Sequence, residues 1–219
     1  MKILNLYCGI GGNRKLWTLN GDNHDVTAVE INPEIAKVYQ DFFPNDKVVV
    51  GDAHQYLLEN YNENWDFIWT SPPCPSHSRI RNVAGVGSGH IKPIYPEMGL
   101  YEEVIFLQQI FHSSGCNFNG KYCVENVIPY YEPLIKAQTI QRHLFWSNFY
   151  IVDFKTSNDN VVTNFSIENH QKKFGFNLDN YEFSKNYPKE KVLRNCVSPE
   201  LGKHILDCAL GKIKQQTLL

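Results

Sequence analysis

Four short apolar runs, at residues 2–7, 26–31, 48–50 and 65–70, alternate with segments of helical character. No other feature of the chain constrains its fold as tightly. A strand, a helix and a second strand in that order return to a parallel sheet through a right-handed crossover. The spacing predicts helices over residues 13–19, 33–43 and 54–61, the second opened by Asn32 as cap and Pro33 at the first helical position. Beyond residue 99 the pattern predicts a helix at 100–114, a strand at 122–127, a short helix at 134–140 and a strand or hairpin at 144–152. Residues 153–191 read mostly as loop with a helix near 167–174, and a last helix spans 201–210. The expected class is α/β, a mostly parallel sheet with helices on both faces. In such sheets ligands bind beyond the C-terminal ends of the strands, so the residues just after each run are where chemistry is expected.

A chain of 219 residues, 42% of them hydrophobic, can bury one core, and a single domain over 1–219 is the expectation. The formal charge of −2 excludes a global basic field, though a local patch is compatible with it. Six cysteines without a CxxC pair argue for reduced thiols and a cytoplasmic setting, and against disulfides or a metal site. No apolar stretch approaches the roughly 18 residues that span a membrane, and no signal-like segment opens the sequence.

The first strand ends in Cys8-Gly9-Ile10-Gly11-Gly12. Glycines there let the backbone turn sharply and come close to a ligand. The run is not a full GxGxxG, because Arg14 stands where the third glycine would be, and this weighs against a dinucleotide site. Glu30 closes the second strand, where an acid can take ribose hydroxyls, and Asp52 follows the third, placed to accept from an adenine amino group. Together they describe an adenosine-type site. The fourth strand runs into Thr70-Ser71-Pro72-Pro73-Cys74-Pro75-Ser76-His77-Ser78. Prolines cannot continue the ladder, so Cys74 stands on a stiff turn at the ligand edge. It reads equally as a nucleophile or as a buried structural thiol. Residues 75–98 form a long irregular stretch with Gly85, Gly87 and Gly89, of the kind that is functional when it occurs inside a compact domain.

Asn5-Leu6-Tyr7-Cys8-Gly9-Ile10-Gly11-Gly12 resembles the first motif of the cytosine-C5 DNA methyltransferases, and Ser71-Pro72-Pro73-Cys74 resembles their catalytic Pro-Cys motif. Glu125-Asn126-Val127 is similar to their Glu-Asn-Val motif, Gln141-Arg142-His143 falls where their Gln/Arg motif belongs, and Arg194-Asn195-Cys196-Val197-Ser198-Pro199 resembles their last motif. Five motifs in the family's order, over residues 3–210, carry the resemblance. It implies a Rossmann-like fold, S-adenosylmethionine as cofactor without a metal, and methyl transfer to C5 of cytosine. Cys74 would add to C6 of a flipped base, Glu125 would hold and protonate N3, Asn126 would orient Glu125 and the loop, and Arg142 would contact the ring. Tyr7, Gly9, Ile10, Gly12, Glu30 and Ile31 would line the cofactor pocket. Asp52, Ala53, Pro73, Leu100 and Asn195 would complete it. Ser78, Arg79, Arg81 and His143 would touch the substrate, with residues 75–98 closing over it.

Three departures from the family pattern stand out. Pro75 follows the Pro-Cys pair in place of glutamine. His143 occupies the position of one of the alternating arginines, and Arg142 is preferred to it as the ring contact. Only residues 153–191 are available as a target-recognition segment, as in shortened phage or prophage forms. Its lysines, 172, 173, 185, 189 and 191, suit phosphates. The expected partner is duplex DNA with one flipped cytosine, read alone, as a homo-oligomer or with a partner that supplies specificity, in the cytoplasm of a bacterial or phage-infected cell. Two alternatives stay open: the same chemistry on tRNA or a free cytidine nucleotide, and an inactive S-adenosylmethionine-binding module.

Overall fold

The computed structural model describes residues 1–18, 21–79, 82, 86–113, 115–116, 118–155 and 166–213. Seven strands form one sheet: β1 (Lys2–Leu6), β2 (Asp25–Glu30), β3 (Lys47–Val50), β4 (Phe67–Thr70), β5 (Lys121–Val127), β6 (Gln138–Ile140) and β7 (His143–Ser147). Among the described residues six helices accompany these strands: α1 (Pro33–Phe42), α2 (Ala53–Asn60), α3 (Gly99–His112), α4 (Ile167–Phe174), α5 (Lys189–Arg194) and α6 (Pro199–Ala209). The strand order is β3-β2-β1-β4-β5-β7-β6. The first five are parallel; β7 runs antiparallel to both β5 and β6. The chain leaves β1 to one side for β2 and β3 and returns to its other side for β4. The strand order therefore reverses at β1, and the crevice opens between the C-terminal ends of β1 and β4.

Burial on both faces explains the continuous apolar runs. Leu4 and Leu6 of β1, Ile68 of β4 and Val124 of β5 pack with α2 and α3. Their alternates, Ile3, Phe67, Trp69 and Cys123, pack with Trp17, Phe145 and α6 on the other face. A third cluster joins Ile35 and Val38 of α1 to Phe174, Phe176, Leu178, Val192 and Leu193. Residues 174–178, within the segment expected to be mostly loop, thus dock on α1, with Phe42 and Phe176 edge to face at 4.9 Å. Helix α4 falls where the sequence predicts it; α5 was not anticipated.

Two expected helices are absent. Residues after the glycine turn form successive tight turns, with Arg14 N–H to Gly11 O at 3.1 Å and Trp17 N–H to Arg14 O at 3.1 Å. Arg14 is the cause. Its guanidinium makes a bidentate, buried pair with Asp46 at 2.9 and 3.0 Å, and Tyr39 donates to the same carboxylate at 2.8 Å. Instead of glycine-mediated helix packing, a charge pair ties the turn to the loop before β3. The second absent helix, predicted over 134–140, gives way to β6, which pairs with β7 across the two-residue connection Gln141-Arg142. Gln141 has φ +54°, a left-handed value suited to such a tight turn.

Close backbone approach then seals the end of the chain to its beginning. A Cβ at Gly202 of α6 would lie 2.2 Å from the Asn13 carbonyl oxygen, and one at Gly12 would lie 2.4 Å from the Val197 carbonyl oxygen. Trp17 Nε1 donates to the Gly202 carbonyl at 3.2 Å. Replacing Gly202 with alanine should destabilise the protein by about 1–3 kcal/mol in urea unfolding, since a backbone oxygen cannot step aside. Gly51→Ala, where a Cβ meets nothing within 4 Å, is the matched control and should be near neutral.

Candidate active site

The site begins where β1 ends. Tyr7 takes a left-handed φ of +54°, uncommon for a tyrosine, and Gly9 and Gly11 follow at +54° and +84°. The turn is held from the next strand. Glu30 accepts from the Gly9 N–H at 3.1 Å with one oxygen and from the Asn32 N–H at 2.9 Å with the other. Asn32 in turn caps α1 through the Glu34 and Ile35 N–H groups at 2.8 and 3.2 Å. Burial pushes the Glu30 carboxyl up, and the N–H donors from Asn32 and Gly9 oppose the shift. Asp52 caps α2, accepting from the Gln55 N–H at 3.0 Å.

Two adjoining clefts run along these strand ends, of about 550 and 330 Å³. Both fall within the size range of small-molecule sites. They share Tyr7, Glu30, Ile31, Pro72, Pro73 and Pro75. The larger adds Asp52, Ala53 and Leu100; the smaller adds Gly9, Ile10, Gly12 and Asn195. All eleven residues assigned to the cofactor by resemblance therefore line one continuous crevice. Ile31 is 62% exposed at its edge, and a Cβ at Gly9 would meet nothing within 4 Å, so the turn presents bare backbone to open space.

The smaller cleft also receives Cys74, Glu125, Asn126 and His143. Parallel pairing sets Thr70 of β4 opposite Val124 of β5, so the Pro-Cys turn and the Glu-Asn pair emerge side by side. Asn126 is buried and donates through Nδ2 to the Pro72 carbonyl at 3.0 Å, while its Oδ1 accepts from the Val127 N–H at 2.9 Å. It fixes the turn that carries Cys74. Burial, and then the Glu125 carboxylate, push the Cys74 thiol up to about 11, with a backbone hydrogen bond opposing.

His143 Nδ1 lies 2.5 Å from Glu125 Oε1. Arg142, preferred to His143 from the sequence, is exposed in the β6–β7 connection and lines neither cleft. The reason is the strand period: a one-residue difference in β7 register points a side chain the other way. Ser78 bridges to Pro129 and Arg79 is exposed; neither lines a cleft. Arg81 and Gly85 lie outside the described residues.

The sequence reading missed Glu103. This carboxylate, 1% exposed on α3, accepts from Thr70 Oγ1 at 2.5 Å, from His54 Nδ1 at 3.1 Å and from the Tyr7 hydroxyl. An acid among Leu100, Val104 and Leu107, on the helix's apolar stripe, was the available signal. Tyr187, Lys191 and Arg194 were missed as cleft walls.

Residues 1–90 match the model of the C-5 cytosine-specific DNA methylase family. The resemblance carried by the motifs is borne out over that part of the chain. An 81-residue stretch is 38% identical to a tRNA (cytosine(38)-C(5))-methyltransferase of Spodoptera frugiperda, covering 36% of this chain and 24% of the relative. The chain thus corresponds to about a quarter of that relative's length. Among solved structures, a DNMT2 mutant from Spodoptera frugiperda is 27% identical over 57% of this chain and 35% of its own, with a TM-score of 0.37. A methyltransferase of Entamoeba histolytica matches 98% of this chain and 99% of its own at 11% identity, with a TM-score of 0.57. The fold is that of the Rossmann-like S-adenosylmethionine-dependent methyltransferases. Among the described residues no helix is long and apolar enough to cross a membrane, and no three His, Cys, Asp or Glu side chains cluster to hold a metal.

Two outcomes follow from the electrostatics. Alkylation of Cys74 by iodoacetamide, followed by peptide mass spectrometry, should be slow at pH 7 and accelerate as pH rises toward about 11. Burial also raises the Glu103 carboxyl, so its contribution to stability is complete at low pH and declines as pH rises through the folded-state value. Glu103→Gln should therefore cost more in Tm at pH 5 than at pH 8. A pH-independent difference would contradict the assignment.

Proposed function

We infer that this chain transfers a methyl group from S-adenosylmethionine to C5 of a cytosine in DNA, with Cys74 as nucleophile. One observation carries the reading: Cys74 and Glu125 face the same cleft, and that cleft opens onto the glycine turn and Glu30. The crevice fits the cofactor. Glu30 suits ribose hydroxyls, Asp52 an adenine amino group, and Ile31, Ala53, Pro73 and Leu100 the faces of a flat ring, while the bare backbone at Gly9 admits close approach. Ile10, Gly12, Tyr7 and Asn195 complete the walls. When bound, S-adenosylmethionine supplies an electrophilic methyl group on a sulfonium cation.

The chain's own residues do the rest. Cys74 as thiolate adds to C6 of the ring, and the displaced electron pair is quenched at N3 by a proton from Glu125. C5, now enamine-like, becomes the nucleophile. After methylation a base removes the C5 proton, the C6–S bond breaks, and the pair returns to Cys74 as N3 gives back its proton. Burial is the larger cause of the raised Cys74 thiol, and protonating Glu125 removes the second, its negative charge. Arg79 and Ser78 remain candidates for substrate contact once residues 75–98 meet a target, and Arg142 for its backbone. Residues 153–191, in a single domain over 1–219, are the reduced recognition segment. A recognition segment this short favours a short target or a specificity-supplying partner.

A second reading, tRNA as substrate, is favoured by the relative that is 38% identical over 81 residues. A covalent trap decides between them. The protein is incubated with S-adenosylmethionine and either a mixed-sequence duplex or tRNA containing 5-fluorocytosine, and denaturing mass spectrometry follows. The expected result is an adduct on the Cys74 peptide with the duplex and its loss in Cys74→Ser, while S-adenosylhomocysteine still binds. An adduct with tRNA alone would establish the second reading. Binding of S-adenosylhomocysteine with no adduct on either would point to the inactive module.

A further inference from the structure

His143 is where the sequence leaves the alternating-arginine pattern, and it is the side chain that meets Glu125. The contact is built into the sheet. β5 and β7 are antiparallel, with Val127 opposite His143 and Glu125 opposite Phe145. Glu125 and His143 are therefore diagonal neighbours on one face, within reach for long side chains. Their side chains are 8% and 19% exposed, and the Phe145 ring lies 6.3 Å from the imidazole. At 2.5 Å the pair is a short, water-poor contact between an imidazole nitrogen and a carboxylate oxygen.

We propose that His143 is a positioning residue: it donates from Nδ1 to Glu125 Oε1 and so keeps the acid proton on Oε2, facing the base ring. The inference rests on the reading that Glu125 protonates N3. The addition balances without any further reactant. As the Cys74 thiolate bonds to C6, the ring electron pair moves to N3 and takes the Oε2 proton. The carboxylate left behind keeps the Nδ1–H donor on Oε1. On elimination a base takes the C5 proton, its electron pair forms the C5–C6 double bond, the C6–S pair leaves on Cys74, and N3 returns its proton to Oε2. An arginine at this place would be a permanent cation, and a cation beside a carboxylate favours its ionised, acceptor-only form. An imidazole can instead stand there neutral, as a donor, and leave the acid its proton.

Other groups face the same cleft. Cys74 comes from the Pro-Cys turn, Tyr187, Lys191 and Arg194 from the segment before the last motif, and Cys8 and Glu30 from the first two strand ends. Arg194 pairs with Glu190 at 2.9 Å, and Lys191 donates to the Asn186 carbonyl at 3.1 Å. Arg142 is adjacent in sequence but exposed. All of these are constant across a series of His143 variants, so a change in profile within the series reports the pair.

The test compares methyl transfer to DNA and to tRNA from pH 6.5 to 9 for wild type, His143→Arg and His143→Gln. Binding of S-adenosylhomocysteine serves as the check that each variant is folded. The activity of His143→Arg relative to wild type should fall by about tenfold from the bottom to the top of that range, whatever its absolute rate. His143→Gln, a neutral donor, should follow the wild-type profile. Parallel profiles for all three in an active enzyme would overturn the proposal and leave cytosine methylation standing. A wild type that binds S-adenosylhomocysteine yet methylates neither substrate would overturn the proposed function, and this inference with it. A second readout needs no turnover: the imidazole 15N shifts of His143 should titrate differently in Glu125→Gln. Identical titrations would show that the two side chains do not share a proton and would overturn the proposal.

Discussion

The buried carboxylate of Glu103 joins four elements that the site depends on. It sits in α3, one turn in from the helix start, and accepts from Thr70 at the end of β4, from His54 in α2 and from Tyr7 just beyond β1. A carboxylate taken out of water is costly unless its oxygens are occupied, and here three donors occupy them. Two of those donors, Tyr7 and Thr70, stand at the ends of β1 and β4, the two strands flanking the crevice. The left-handed backbone at Tyr7 is tolerable because its hydroxyl is anchored there.

The same device recurs around the site. Each reactive or ligand-facing turn is held by a polar side chain from the neighbouring element. Glu30 of β2 holds the Gly9 N–H, Asn126 of β5 holds the Pro72 carbonyl, and Asp46 before β3 holds Arg14. Packing of the apolar faces places the strands to within a register, but a hydrophobic contact is not directional. Hydrogen bonds aim the turns. In the stretch that follows the Pro-Cys turn the Glu97 N–H donates to Ser76 Oγ at 2.9 Å, and Tyr95 is 95% exposed, with Ile91 and Ile94 at 41% and 50%.

Cys74, the nucleophile we propose, illustrates why a reactive group and its setting are separate problems. Burial makes a thiol a poor source of thiolate, and the nearby Glu125 makes it poorer. In the mechanism we propose, the same carboxyl, once protonated, ceases to oppose the thiolate and serves as the acid for the ring. Its hydrogen-bond partner therefore bears on both halves of the addition. That partner is His143, brought to Glu125 by the antiparallel pairing of β7 with β5.

The sequence by itself determined the parallel half of the sheet, because apolar runs at crossover spacing have one low-energy arrangement. It also determined which residues end those strands, and thus the glycine turn, Glu30, Asp52, Cys74 and Glu125. It did not determine the residues after Gly12 or β6. A buried ion pair between Arg14 and Asp46, and a strand partner in β7, overrode local helical preference there, and neither partner is local in sequence. Only the tertiary structure decided between Arg142 and His143. Adjacent residues at a strand edge point to opposite faces, and which face meets the site depends on register, which is set by the partner strand. The same holds for Glu103: its place on an apolar stripe was visible, but the three donors that make it tolerable lie 96, 49 and 33 residues away.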